Sequence, residues 1–343
     1  MIKSTAKLQN AFHSDIDTYF NGGVLSRSDL YISVLTPWVT FTRYARAIIQ
    51  KHRQLLAEIP IGSGPKLNIV IEPYKGKNPH VQQMINYLSE HLEEDLIGAY
   101  VHGSLGTYEE IAYSDFDALV ILKNNVFESP SSLAKVAMKL NTARSIMFGF
   151  DPLQHHGWFV LTEVDLKYYC NAYFPIELFK YAKSLFDDKG LELEISLRKS
   201  NYEAHKAFEK MANAIIRKIK NRQYPMNMCQ LKSLLSQFML LPTLYVEARD
   251  KKGIYKKFSF EAARSDFSNE DWAIMDEMSS LRKNWFYKIS FLQRWLIARP
   301  THISRFFAKK YGPAIPNQIK RMLTDNFYRR IQRFVVIMQR NLK

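Results

Sequence analysis

The run Ala118-Leu119-Val120-Ile121-Leu122 limits the fold more than any other stretch of the chain. Five consecutive apolar residues of this kind read as a strand buried on both faces, inside a sheet covered by helices. Directly before it stands Ser114-Asp115-Phe116-Asp117, and no Lys or Arg occurs between residues 101 and 122. A buried carboxylate is costly unless something positive compensates it. Read as part of the same strand, Asp115 and Asp117 project from one face. Two such carboxylates repel each other unless a cation lies between them.

The flanking segments read as an α/β unit. Amphipathic helices are expected near 6 to 20 and 36 to 58, the second with Trp38, Phe41, Tyr44, Ala45, Ile48, Ile49 and Leu55 on its apolar side. Gly62, Gly64 and Pro65 break the chain before a strand at "KLNIVIEPY". Asn78 and Pro79 start a helix whose apolar face is Val81, Met84, Ile85 and Leu88. "LIGAYVHG" is a strand leading to Gly103-Ser104. A helix over "SPSSLAKVAMKLNTARSIMF" separates "SDFDALVIL" from a third strand, "HHGWFVL". Thr162 with Asp165 matches a capping box for a short helix starting at Glu163. Helical patterns then dominate, at 175–187, 200–222, 226–249, 269–299 and 316–341, with "LELEISL" a strand or an extended link. The expected fold is α/β in the first half and all-helical in the second. Its expected divisions are 1–78, 79–190 and 191–343.

Apolar residues make up 47% of the 343-residue chain, enough for sizeable cores. Cys170 and Cys229 lie far apart, which fits a reducing cytoplasm and argues against a disulfide framework or a cysteine zinc site. Neither an 18-residue apolar run nor a signal-like N-terminus is present, so a cytoplasmic protein is expected. The net charge of +15 is concentrated: residues 281–343 carry fifteen Lys or Arg against Asp325 as the only acid. The region holding the aspartates is nearly neutral, so any anion-binding argument from charge concerns the tail alone.

A glycine lets backbone approach an anion closely, and a serine adds a hydroxyl and an amide. Gly103-Ser104 followed by Asp115 and Asp117 is therefore suited to a metal triphosphate, since Mg²⁺ takes carboxylate and phosphate oxygens together. The segment His102-Gly103-Ser104, a ten-residue spacer, then Asp115-Phe116-Asp117 resembles the signature of the nucleotidyltransferase superfamily related to DNA polymerase beta. Ser114 suits that pattern. His102 departs from it, because an apolar residue is usual there. The resemblance covers roughly residues 80 to 165. The plain alternative is a solvent-facing acid pair on an edge strand, which leaves the apolar run 118–122 unexplained.

The resemblance implies a mixed sheet flanked by helices and followed by a helical C-terminal domain, as in aminoglycoside-type nucleotidyltransferases. Asp115 and Asp117 would hold Mg²⁺ or Mn²⁺, and Gly103 and Ser104 the β- and γ-phosphates of an NTP such as ATP. A nucleoside monophosphate would pass to a hydroxyl or phosphate acceptor with release of pyrophosphate. The family's third acid, on a neighbouring strand, has three candidates here: Asp151, His156 and Asp165. His156, at the mouth of "HHGWFVL", could serve as base or ligand. Lys256 or Lys257, in the turn after a helix, is expected to reach a phosphate. In the tail, Ile319, Met322, Leu323, Phe327, Ile331, Phe334, Val335 and Met338 share one helical side. That side is expected to pack on the protein's own helices, with an anionic membrane surface or nucleic acid as the other readings for residues 281–343. A degenerate nucleotide-binding regulator, and a scaffold acting through the tail, are the rival functions. The base, the acceptor and the oligomeric state are not specified by the sequence.

Overall fold

The computed structural model describes residues 2–21, 37–59, 64–186, 191–198 and 204–343. Gly62, and the side chains of Trp38 and Phe41, lie outside the described ones. The chain divides into two compact units. The first is Met1–Glu110 with Ser114–Ser200 and Ala298–Arg305; the second is Ile111–Tyr113 with Asn201–Ile297 and Phe306–Lys343. The division anticipated between 78 and 79 falls inside the first unit, and the one between 190 and 191 falls near its end.

Unit 1 is built from α1 (Ile2–Phe20), α2 (Pro37–Glu58), β1 (Lys66–Ile71), α3 (Pro79–His91), β2 (Leu96–Val101), α4 (Gly103–Gly106), β3 (Ala118–Leu122), α5 (Pro130–Phe150), β4 (Trp158–Thr162), α6 (Glu163–Lys167), β5 (Lys183–Ser184) and β6 (Leu191–Ser196). Its mixed sheet has the order β4-β3-β2-β5, with β3 and β4 parallel and the other pairs antiparallel. β1 and β6 form an antiparallel ribbon. Just beyond β1, Tyr74 N donates to Ser184 O at 3.0 Å and Ser184 N to Glu72 O at 2.8 Å.

All five residues of β3 are fully buried, as the apolar run requires. Ala118, Val120 and Leu122 share a core with Phe12 and Ile16 of α1, Leu88 of α3 and Leu140 of α5. Leu119 and Ile121 face a second core with Tyr169, Phe174, Phe179 and Ile195. Each such side chain contributes roughly 1.5–3 kcal/mol on burial. α3 also forms as expected: Asn78 accepts from His80 N, Pro79 opens the helix, and Val81, Met84, Ile85 and Leu88 are buried.

Two local expectations are corrected. The strand anticipated from Ser114 begins only at Ala118. The helix anticipated over 175–187 is a 3₁₀ segment, Ile176–Tyr181, followed by β5. There the backbone of residues 183 and 184 pairs with β2, and Ser184 also bonds to Glu72 and Tyr74, so distant partners override the local helical pattern.

Unit 2 is mainly helical: α7 (Ala204–Lys220), α8 (Met228–Phe238), α9 (Leu241–Asp250), α10 (Lys256–Arg264), α11 (Asn269–Lys283), α12 (Phe291–Ile297), α13 (His302–Tyr311, its first turn assigned to unit 1), α14 (Asn317–Met322) and α15 (Asp325–Asn341). Three long expected helices are each split. Pro242 starts α9 afresh, and Thr324 caps α15 by accepting from Phe327 N at 3.3 Å. α15 packs on α7 and α11 and buries Phe327, Ile331, Phe334, Val335 and Met338. Ile319 is buried too, but Met322 is exposed and Leu323 half-buried. Arg330 pairs with Glu277 at 2.7 Å, and Arg333 with Glu270 at 3.2 Å. Among the described residues, no helix is long and apolar enough to cross a membrane.

Candidate functional site

β2 delivers the chain to a sharp reversal. His102 still extends the β2–β3 pairing, its N–H donating to Asp117 O at 3.0 Å. Gly103 then adopts φ +63°, where side-chain-bearing residues are disfavoured. A Cβ at this position would also stand 3.0 Å from Asp117 Oδ2. The Ser104 hydroxyl donates to Ser114 Oγ at 2.9 Å, immediately before Asp115. The two halves of the motif are thus adjacent, Gly103 against Asp117 and Ser104 against Ser114. The Ser104 hydroxyl proton, expected to face a phosphate, is given to Ser114.

Asp115 and Asp117 are half-buried and precede β3 instead of lying within it. The extended chain between them is held by a side chain. Phe116 N donates to Gln154 Oε1 at 2.8 Å, and Gln154 Nε2 donates to Phe116 O at 2.7 Å. Gln154 is fully buried, and its amide offers the donor and acceptor that a neighbouring strand would otherwise supply.

β4 contributes no carboxylate beside the pair. Ala118 is in register with Trp158 and Leu119 with Phe159, so the same register puts Gly157, just before β4, level with Asp117, and Phe159 two residues further on. Gly157 has a structural reason. Asn21 Nδ2 donates to Trp158 O at 2.9 Å and Trp158 N to Asn21 Oδ1 at 2.8 Å, and a Cβ on residue 157 would meet that Oδ1 at 1.8 Å.

The other candidates are otherwise engaged or exposed. Asp151 ends α5 in a turn, its Oδ1 accepting from Leu153 N at 3.0 Å. Asp165 sits buried in the anticipated capping box, Oδ2 accepting from Thr162 N and Thr162 Oγ1 at 2.8 Å each. Its Oδ1 accepts from Gln9 Nε2 at 2.7 Å and meets His13 Nε2 at 2.7 Å. Burial pushes this carboxyl up, but His13, Gln9 and Thr162 together hold it below the usual range. His156 is exposed at the mouth of β4, its ring stacked on Phe159 with centroids 6.1 Å apart. Lys256 and Lys257 belong to unit 2, where they open α10 and do not lie in a turn.

One residue beside the motif, and one outside it that is coupled to His156, were not anticipated. His102 is buried, its ring 5.2 Å from that of Phe174 and 5.6 Å from that of Phe159. Burial pushes its imidazole down, against the pull of Asp117, and the charge of His156 adds to the fall. A neutral imidazole therefore stands beside Asp117. Its signal in the sequence is the polar residue at a normally apolar motif position. Asp17 of α1 had no such signal. Burial raises its carboxyl, while a hydrogen bond from Tyr173 and the charge of His156 pull it back.

Among the described residues, no three or more His, Cys, Asp or Glu side chains are gathered as a metal-ligand cluster. Two carboxylates suffice for Mg²⁺, which keeps several waters and takes substrate phosphates as further ligands. Gly103 keeps the flank of Asp117 Oδ2 clear, where any side chain would crowd it. The donor set and this cradle fit a hard divalent cation. No protein-family model, curated protein or solved structure matches the chain.

Proposed function

We propose that this chain is a nucleotidyltransferase of the DNA polymerase beta-like type, its sheet the catalytic sheet of that superfamily. It would transfer a nucleoside monophosphate from an NTP to a hydroxyl or phosphate acceptor. One observation carries the reading beyond the motif: Gly103, at φ +63°, lies against the Asp117 carboxylate in half-buried surroundings. A left-handed glycine reversal set against Asp117, two residues after Asp115, suits a metal-bound triphosphate.

Asp115 and Asp117 would hold Mg²⁺ or Mn²⁺, and the backbone at Gly103 and Ser104 would take phosphate oxygens. Bound Mg²⁺ supplies the positive charge that offsets both the carboxylates and the leaving pyrophosphate. Uncharged His102 walls the site beside Asp117 without competing for the metal's charge. His156, exposed at the strand mouth, is the group available to take the acceptor's proton. The test is pyrophosphate release from labelled NTPs with Mg²⁺: Asp115→Asn removes it and leaves the unfolding transition in place. Full activity in that variant sinks the proposal.

A second reading has its own observation. Gly157 and Phe159 stand where a third acid would be sought. That favours metal-dependent nucleotide binding without turnover, recognised by Mg²⁺-dependent NTP binding that Asp115→Asn removes while wild type releases no pyrophosphate.

A further inference from the structure

A second chemical site lies in unit 1, away from the motif in sequence and independent of the nucleotidyl reading. A cavity of about 310 Å³ is lined by Asn10, His13, Ser14, Asp17, Cys170 and Tyr173, among others. The chain places an arginine against the cysteine. Tyr169 N bonds to Ser196 O at 2.8 Å and Arg198 N to Tyr169 O at 3.2 Å, so residues 170 and 198 are neighbours. The guanidinium donates to Cys170 Sγ at 2.6 Å, to Gln9 Oε1 at 2.7 Å and to Asn10 Oδ1 at 3.2 Å. Arg198 thus sets a fixed positive charge against the sulfur.

His13 is a second, independent sign. It is 3% exposed, its ring stacks on Tyr173 with centroids 4.2 Å apart, and its Nε2 meets Asp165. Asp165 takes up Nε2, which leaves Nδ1 as the ring nitrogen open to other partners. That Nδ1 is buried with no hydrogen-bond partner among the described residues. Gln9 joins the parts, donating to Asp165 and accepting from Arg198. A cavity thus collects a cysteine beside an arginine and a histidine with an unpartnered ring nitrogen, the arrangement of an activated thiol.

We propose that Cys170 is a nucleophilic thiol and that this cavity admits to it a small carbon electrophile bearing a leaving group, such as an activated acyl or alkyl group. In the step, Cys170 Sγ bonds to the electrophilic carbon and the leaving group departs with its electron pair. The thiol proton passes to His13 Nδ1. Ser14 and Asn10 offer polar contacts to the bound group.

The probe is iodoacetamide, which loses iodide, applied to the full-length protein near neutral pH with peptide mass mapping. Both cysteines are buried, and Cys170 is expected to be alkylated at least about tenfold faster than Cys229, and faster than the same cysteine in urea. Protection of Cys170 until the protein unfolds overturns the proposal. Arg198→Gln, checked for an unchanged melting transition, is expected to slow alkylation about tenfold. An unaltered rate in that folded variant also overturns it.

Discussion

Gly103 faces Asp117 so closely that a Cβ on residue 103 would stand 3.0 Å from Asp117 Oδ2. Gly103→Ala meets two penalties, a left-handed backbone and a crowded carboxylate. The backbone term alone is about 1–2 kcal/mol. We expect a urea midpoint lowered by that order and Mg²⁺-dependent NTP binding weakened further, measured by titration calorimetry. A variant that binds as wild type does would remove the glycine from the site.

Gln154 holds the stretch that carries the aspartates. Gln154→Leu keeps the volume but leaves Phe116 N–H and C=O buried and unpaired. At about 1–3 kcal/mol for each of the two orphaned groups, a loss of about 2–6 kcal/mol is expected in equilibrium unfolding. Nucleotide binding should fall with it, because Asp115 and Asp117 flank the clamped residue.

His52 makes stability depend on pH. It is 2% exposed, stacks on Phe127 with ring centroids 3.9 Å apart, and its Nε2 has no hydrogen-bond partner among the described residues. Burial pushes its imidazole down from 6.5 to about 4. Between these values the unfolded chain binds a proton that the folded chain refuses. Stability from this group is therefore complete above pH 6.5 and declines as pH falls toward about 4, by up to about 3 kcal/mol. Urea melts at several pH values should show this slope, and His52→Phe, which stacks but cannot titrate, should flatten it. An identical slope in the variant would assign the dependence elsewhere.

Phe334 tests what the basic tail is for. It is buried in unit 2, with rings of Phe267, Trp272 and Phe238 centred 5.0, 5.8 and 5.8 Å away. Phe334→Ala should destabilise by about 3–5 kcal/mol, the range for emptying an aromatic site. Arg333→Ala, which breaks an exposed pair with Glu270 and a second with half-buried Asp271, should cost less, about 1 kcal/mol. A negligible effect at Phe334 would mean that this face is not part of the core.

Legibility in the sequence followed the range of the interactions. The cap and apolar face of α3, the capping box at Thr162 and Asp165, and the burial of Ala118–Leu122 depend on residues a few positions apart, and each formed as anticipated. The start of β3 was misjudged because the extended chain at 115–117 is completed by Gln154, not by a strand. The 175–187 segment lost its helix because Ser184 answers to Glu72, Tyr74 and Tyr100. Gly157 carries no signal of its own in the sequence, because Asn21, clamped on Trp158, is distant in the chain.

By itself the sequence determined the α/β-then-helical order and the pairing of a glycine turn with two aspartates, since periodicity, caps and motif spacing are written locally. Only the tertiary structure decided that Asp165 is consumed by a buried network, that His102 stands uncharged beside Asp117, and that Arg198 meets Cys170. Those outcomes rest on hydrogen bonds and desolvation between residues far apart in the chain, and both are set by distance in space.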